Sequence, residues 1–431
     1  MLKHNLPGSH PLRIDMPRAA DGRRWLVGVA VASKCDRVAA ALVGVRGAGL
    51  SALAEVAGAR TAAIPRGTAV LFDALSGAVP CAITALATLR TQLAEVEAPL
   101  VIEMLDSLGI APSRVLAMGV HDPGIWEVRT GGEPTGYLGL CDPARLAEAT
   151  GLNVIDAFAA RDLAAGGQGG PLTALADWVL LRDPLRSRAL LDLGRTIRIG
   201  YLPAARTERA EARVLSFEVG PGLSLLDLLA QRLSGGQHHF DPGGRLAVQG
   251  KRLPELVEHW MSNPYFDCPP PRWRPRGVRP ERFLTDAVQM AVAADWSVRD
   301  LLCTATHFLA EMIARTIRRR LPEDAAIDEI VVAGGGQHNG MLLREIGCLT
   351  ELPLVRLGDL GIPADSLDPA AAALLAMLHL DQVPANPTSI TNAATPRLLG
   401  RLTGGSPQSW QLLLETCAGS SSVLRPLRTA V

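Results

Sequence analysis

The stretch Leu163-Ala-Ala-Gly-Gly-Gln-Gly-Gly-Pro-Leu172 places four glycines within five positions at the end of an apolar segment. Glycine tolerates positive φ and leaves room for another backbone or a ligand to come close. Upstream, Asn153-Val-Ile-Asp-Ala-Phe158 has the Val, Ile and Phe content of a strand. Downstream, Leu172-Thr-Ala-Leu-Ala-Asp-Trp-Val-Leu180 has helical apolar spacing. A strand, a glycine turn and a helix in this order form one βα unit. The stretch by itself leaves open whether its glycines receive a ligand or only make a tight connection.

At 431 residues the chain is long enough for two domains of about 100–200 residues, each with its own core. Its 43 basic and 43 acidic residues cancel, so no overall field favours nucleic acid or an anionic membrane, and any anion site must be local. Cysteines 35, 81, 141, 268, 303, 348 and 417 are odd in number and include no C-x-x-C pair. That disfavours a disulfide framework or a zinc ribbon and reads as buried thiols of a reducing cytosol. Residues 1–24 are polar and proline-punctuated, without the apolar run of a secretion signal, and read as a loose tail. No apolar stretch approaches the ~20 residues that span a bilayer; even Val70–Leu89 carries Asp73, Ser76 and Pro80. The expectation is a cytoplasmic protein with small-molecule partners and no nucleic-acid or membrane contact.

Order begins at Trp25, where an apolar run to Ala32 enters a polar turn, and Val38–Val45 reads as the second strand of a hairpin. Ile83–Leu105 has helical spacing. Val115–Val120 is a short buried strand that delivers His121 and Asp122 at its C-terminal end, the edge where open α/β sheets bind ligands. A hydrogen-bonded structural histidine is the plainer reading of His121. In Ala189–Ile199 a strand is broken at Gly194; an Asp-x-Gly-x-Thr turn of this kind can offer backbone N–H groups and the Thr196 hydroxyl to a phosphate, with Asp192 toward a metal. It is equally a good hairpin turn.

Leu215–Gly222 reads as a strand running into a helix over 223–233, and Phe240–Gly250 as a glycine-rich loop. Residues 263–277 form a proline-rigidified segment with arginines 272, 274 and 276 around Trp273; without a wider basic patch it reads as a solvated loop. Asp300–Leu321 is a long amphipathic helix. After it, Ile327–Arg344 holds a buried strand, Gly334-Gly-Gly336 and a helix start, a geometry that suits phosphate approach. Asp365–Leu378 reads as an Asp-capped, alanine-rich helix. No internal repeat is visible in the sequence.

Several short motifs follow one another in a telling order: Asp162–Leu172, Gly220-Pro-Gly222 with Asp227, Phe240-Asp-Pro-Gly with Ala247 and Gly250, Pro264-Tyr-Phe followed by Pro270-Pro271, Gly334-Gly-Gly with Asn339, and Thr391-x-Ala393 ahead of Leu399-Gly400. With three glycine turns near 30, 194 and 334, this series resembles the actin-like sugar kinases and ATPases. More specifically, from about Val27 to Leu402 it is similar to the anhydro-N-acetylmuramic acid kinases. The resemblance implies an α/β protein of two actin-like (ribonuclease-H-like) domains flanking a deep cleft, 25–150 completed by 385–425, and 151–384. It implies ATP and Mg2+ as cofactors of an active enzyme and an amino sugar and a nucleotide as small-molecule partners, and the sequence leaves a homodimer open. Ser33, Lys34, Asp36, Gly194, Thr196, Gly334, Gly335, Gly336 and Asn339 would then face the nucleotide, Asp36 and Asp192 the metal, and His121, Gly167, Gln168, Gly220 and Gly222 the sugar. In such kinases a carboxylate activates water to open the 1,6-anhydro bridge as O6 takes the γ-phosphate, in cell-wall recycling.

The chain departs from the family pattern where that chemistry is done. The first phosphate turn, G-T-S-x-D-G in the family, is Ala32-Ser-Lys-Cys-Asp-Arg37; H-G-Q-T is His121-Asp-Pro-Gly124; N-x-G-G-x-x-N is Asp192-Leu-Gly-Arg-Thr-Ile-Arg198; K-S-T-G-R-E is Arg272-Trp-Arg-Pro-Arg-Gly277. The base motif D-F-R is Ala157-Phe158-Ala159, which leaves Asp156, one position displaced, and Asp162 as the nearest carboxylates. Loss of a positioned base typically costs ~10²–10⁴ in rate. The favoured reading is a catalytically degenerate homologue; the alternatives are an active sugar kinase and an actin-like nucleotide-binding protein without a sugar substrate.

Overall fold

The computed structural model describes residues 22–33, 35–77, 81–128, 134–273, 279–322 and 326–420. Its strands are β1 (Arg24–Val31), β2 (Arg37–Arg46), β3 (Leu53–Ala63), β4 (Val115–His121), β5 (Ile125–Val128), β6 (Pro134–Leu138), β7 (Val154–Asp156), β8 (Arg188–Leu193), β9 (Thr196–Leu202), β10 (Leu215–Pro221), β11 (Glu329–Ala333), β12 (Leu354–Arg356) and β13 (Arg401–Thr403). One sheet has the order β13-β7-β4-β1-β2-β3 and a second the order β10-β9-β8-β11-β12, while β5 and β6 pair as a separate hairpin.

The two large sheets repeat one topology. In the first, β1, β2 and β3 form an antiparallel meander, and β4 and β7 extend it from β1 in parallel. In the second, β8, β9 and β10 make the meander, and β11 and β12 extend it from β8 in parallel. This is the ribonuclease-H-like sheet twice over, so the fold is actin-like. The sequence shows no repeat because a sheet's path constrains only the alternation of buried residues, which Val, Ile, Leu and Ala satisfy interchangeably.

The first sheet takes β7, which lies past the expected boundary at 150, and the late strand β13, which lies within the 385–425 segment expected to complete that domain. Its two faces are covered differently. Val27, Val29, Val31, Met118, Val120 and Val154 pack under the helix Ile83–Ser107, with Leu89, Leu93, Val101 and Met104. Leu26, Ala117 and Ile155 face the other way, into a core shared with the helices Ala174–Leu181 and Leu367–Leu380. The second sheet has its own core of Phe217, Leu229, Trp260 and Phe308 beneath the helices Leu223–Leu233 and Val298–Arg320.

Three sequence expectations change. The strand at 154–156 does not run straight into the glycine turn; Ala157 takes a left-handed conformation (φ 55°) and a short helix, Phe158–Ala164, intervenes. The alanine-rich helix is preceded by Ser366, and no side chain caps it. Of the seven cysteines, all free, Cys81, Cys268, Cys348 and Cys417 are exposed rather than buried. Among the described residues, no helix is long and apolar enough to cross a membrane.

Candidate functional site

Five charged or ionisable side chains meet between the sheets. Residues alternate faces along a strand, so His121, two positions after Gly119 and four after Ala117, leaves β4 on the face turned toward the helices 174–181 and 367–380. Arg198, the single charged residue in β9, lies opposite Asp192 of β8. It donates to the buried Asp177 at 2.7 Å and to Asp192 at 3.4 Å. Thr173 donates to the same Asp177 oxygen at 2.8 Å, whereas Asp177 Oδ1 is buried without a partner. Asp368 enters from the first turn of the helix Leu367–Leu380.

Charge and burial oppose one another in this cluster. The Asp192 carboxyl is raised to about 6: burial pushes it up, Arg198 pulls against that, and Asp368 and Asp177 add to the rise. Burial likewise raises Asp368 against the pull of Arg198. His121 is lowered, by burial first and by Arg198 as well, so the imidazole is neutral at pH 7 and can donate and accept one hydrogen bond each.

Beside the cluster lies a pocket lined by Ala30, Ala32 and Arg37 from the first hairpin, Asp192, Gly334 and Gly335 from the second sheet, and Asp365 and Asp368 from the head of the alanine-rich helix. Two turns of equivalent topology approach it. The first, between β1 and β2, carries Ser33 and Asp36, both exposed, and Cys35 in a left-handed conformation; Lys34 lies outside the described residues. The second, between β8 and β9, holds Gly194 and Thr196. Gly334 closes onto it: its φ is 75°, and a Cβ there would lie 2.7 Å from Asp192 Oδ1 and 2.8 Å from the Leu193 carbonyl oxygen. Gly336 packs on the Leu193 side chain, while Gly335 lines the pocket. Asn339 caps the helix Gly340–Thr350, accepting from the Leu342 N–H at 3.1 Å.

The expected sugar side divides in the same way. Gly222 packs against the Gly194 carbonyl and donates to the Arg195 carbonyl at 2.9 Å, so it supports the second turn from behind. Gly220 packs on Met312 and Phe266 in the core. Both owe their small size to packing. Asp162, fully buried, accepts from the Gly169 N–H and from Asn386 Nδ2, each at 2.7 Å, and its carboxylate rests on Gly167. It thereby sets the shape of the glycine stretch. Asp156 is buried and clamped by Arg401 at 2.7 and 3.1 Å. It follows Val154 onto the face under the helix Ile83–Ser107, opposite to that of His121, and so lies away from the cleft face. Asp122 shares that far face and accepts three backbone N–H groups, from Gly124, Leu140 and Cys141.

Arg198, Asp177 and Asp368 have no place among the sequence-stretch candidates above, yet each carries a mark. An arginine between Ile197 and Ile199, an aspartate inside the apolar run 172–181, and one at the head of an alanine run are polar groups where burial is expected. The 263–273 segment, expected to be solvated, is docked: Arg272 is buried and donates to the carbonyls of Glu218, Tyr265 and Cys268 at 2.8, 2.9 and 3.1 Å.

Two ribonuclease-H-like sheets, with a glycine turn and opposed carboxylates between them, define an actin-like two-domain protein. Residues 24–405 match the sequence profile of the anhydro-N-acetylmuramic acid kinases. An anhydro-N-acetylmuramic acid kinase of Acaryochloris marina is 30% identical over 400 residues, covering 88% of this chain and 99% of the relative. One from a Cyanothece strain is 31% identical over 382 residues, covering 88% and 98%. The chain belongs to the anhydro-N-acetylmuramic acid kinase family. Among solved structures, a gluconate kinase from Lactobacillus acidophilus aligns over 93% of this chain and 98% of its own, with 10% identity and a TM-score of 0.40, a likeness too weak to bear on function.

Proposed function

We propose that this chain is a catalytically degenerate member of its family, one that holds an amino sugar and a nucleotide in the cleft but carries out the ring-opening phosphorylation of 1,6-anhydro-N-acetylmuramic acid far below the family rate. The observation that carries this reading is Ala157. It stands where the resemblance places the base, in a left-handed conformation that aspartate tolerates better than alanine, and it offers no carboxylate there. Neither neighbour replaces it, since Asp156 is clamped by Arg401 and Asp162 by Asn386 and Gly169.

A magnesium nucleotide fits the pocket in donor chemistry. Magnesium in phosphoryl-transfer sites takes one or two carboxylates plus phosphate oxygens and water, and Asp192 and Asp368 supply that number. When bound it would neutralise phosphate charge. Gly335 lets backbone come close, and Arg37 adds a cation at the rim. The retained Gly334 and Gly335, with the Asp192 carboxylate beside them at the pocket, are what favour a second reading, an active ATP-dependent sugar kinase.

Restoring the carboxylate separates the two. In the degenerate protein, Ala157→Asp raises phosphate transfer to 1,6-anhydro-N-acetylmuramic acid by at least ~10²-fold, while wild type shows a thermal shift with magnesium ATP and little turnover. Wild-type turnover in the range of about 1–100 s⁻¹ usual for kinases would overturn the reading.

A further inference from the structure

The glycine stretch that organises the sequence is already approached closely, by tryptophans of the same chain. A Cβ at Gly169 would lie 2.8 Å from the Trp126 ring, and one at Gly170 would lie 2.6 Å from that of Trp273. Trp126 comes from β5 of the hairpin attached to the first sheet, with Tyr137 of β6 beside it at 4.7 Å between centroids. Trp273 follows the buried Arg272 on the second sheet's side and meets Trp126 edge-on at 5.1 Å. All three rings are partly exposed.

The rings are held in place. Trp126 Nε1 donates to the Pro123 carbonyl at 2.6 Å, and the Arg272 anchor next to Trp273 is hydrogen-bonded to β10 in both directions. Beside them are polar atoms with nothing to bind. Gln168 Oε1 is buried without a partner, and its Nε2 reaches the Pro271 carbonyl only at 3.5 Å. The Gln168 N–H donates to the carbonyl of Thr391, a fully buried residue whose Oγ1 is also unpartnered. Buried polar groups are ordinarily hydrogen-bonded and leaving one unsatisfied is costly, so each marks a place for a hydrogen-bonding guest.

Fixed aromatic faces with a few unsatisfied polar atoms beside them match a pyranose, which has an apolar C–H face and a polar rim. We propose that Trp126, Tyr137 and Trp273 form an aromatic wall that receives the apolar face of a saccharide ring, and that Gln168 Oε1 and Thr391 Oγ1 take its polar groups. This deepens the reading of the cleft as an amino-sugar site and rests on it. Trp273 is this chain's own device, standing where the resemblance expects a serine.

The test is calorimetric titration of the full-length protein with 1,6-anhydro-N-acetylmuramic acid, with tryptophan emission followed in parallel. Trp273→Ala and Trp126→Ala should each raise Kd at least about tenfold, with Trp273→Phe between them and wild type. Thr391→Val, nearly isosteric, should weaken binding with an unchanged melting temperature, which separates recognition from folding. If wild type binds the sugar and both Trp273→Phe and Thr391→Val leave Kd unchanged, the wall is overturned while the amino-sugar reading stands. If wild type binds magnesium ATP but not the sugar, the amino-sugar reading fails and the wall fails with it.

Discussion

The turn between β1 and β2 and the turn between β8 and β9 occupy the same place in two copies of one topology, yet they are built on different terms. The second is enclosed. Gly334 and Gly336 press on it from β11, Gly222 supports it from β10, and Arg198 ties its aspartate to a buried partner. The first is open at its tip, where Ser33 and Asp36 are exposed and Arg37 pairs with Asp365 at the surface. Gly222 and Gly334, which flank the second turn, cannot take a Cβ without moving its backbone, whereas the exposed tip of the first turn carries side chains without such a clash.

The largest expected contrast is between the two arginines. Arg198→Ala leaves Asp177 buried and unpaired and should cost ~3–5 kcal/mol. Arg37→Ala breaks a pair whose side chains are 52% and 54% exposed and should cost about 0–1 kcal/mol. Urea denaturation of both variants measures this, and equal losses would erase the distinction between an enclosed and an open turn.

Next in size is the glycine exchange. Gly334→Ala imposes left-handed alanine and a clash with the Leu193 carbonyl, for roughly 2–4 kcal/mol. Ala32→Gly should stay within about 1 kcal/mol, the entropic penalty of glycine. The same denaturation series checks both.

A further contrast concerns pH. Glu97 is buried near Cys35 of the first turn with neither carboxylate oxygen partnered, and burial raises it to about 8, with Asp122 and Asp142 adding to the shift. The unfolded chain loses this proton near 4.5, so between there and about 8 the folded state binds more protons than the unfolded one. Stability from this group is therefore complete below about 4.5 and is lost as pH rises through about 8. Glu97→Gln should flatten this fall in melting temperature between pH 5 and 8, and an unchanged slope would place the titration elsewhere.

Much of the fold was legible in the chain. The hairpin at 25–45, the strand ending at His121, the break at Gly194 and the long helix after 298 all follow from periodicity, because local burial patterns need no knowledge of partners. The site was legible in part. Asp192, Gly334 and Gly335 stand together at one pocket, but Asp156 and His121, both at strand ends, leave opposite faces of one sheet. A shift of one residue reverses a strand's face, and only the register of β7 between β4 and β13 decides it.

By itself the sequence determined the elements and the glycine turns, since each is a property of residue type and order. Only the tertiary structure decided what fills the space that the glycines leave. At 334 it is the backbone of β8; at 169 and 170 it is two indoles from segments about 40 and 100 residues away along the chain, brought together because the two sheets face one another. A missing side chain announces a close approach, and what makes the approach depends on contacts that no local pattern encodes.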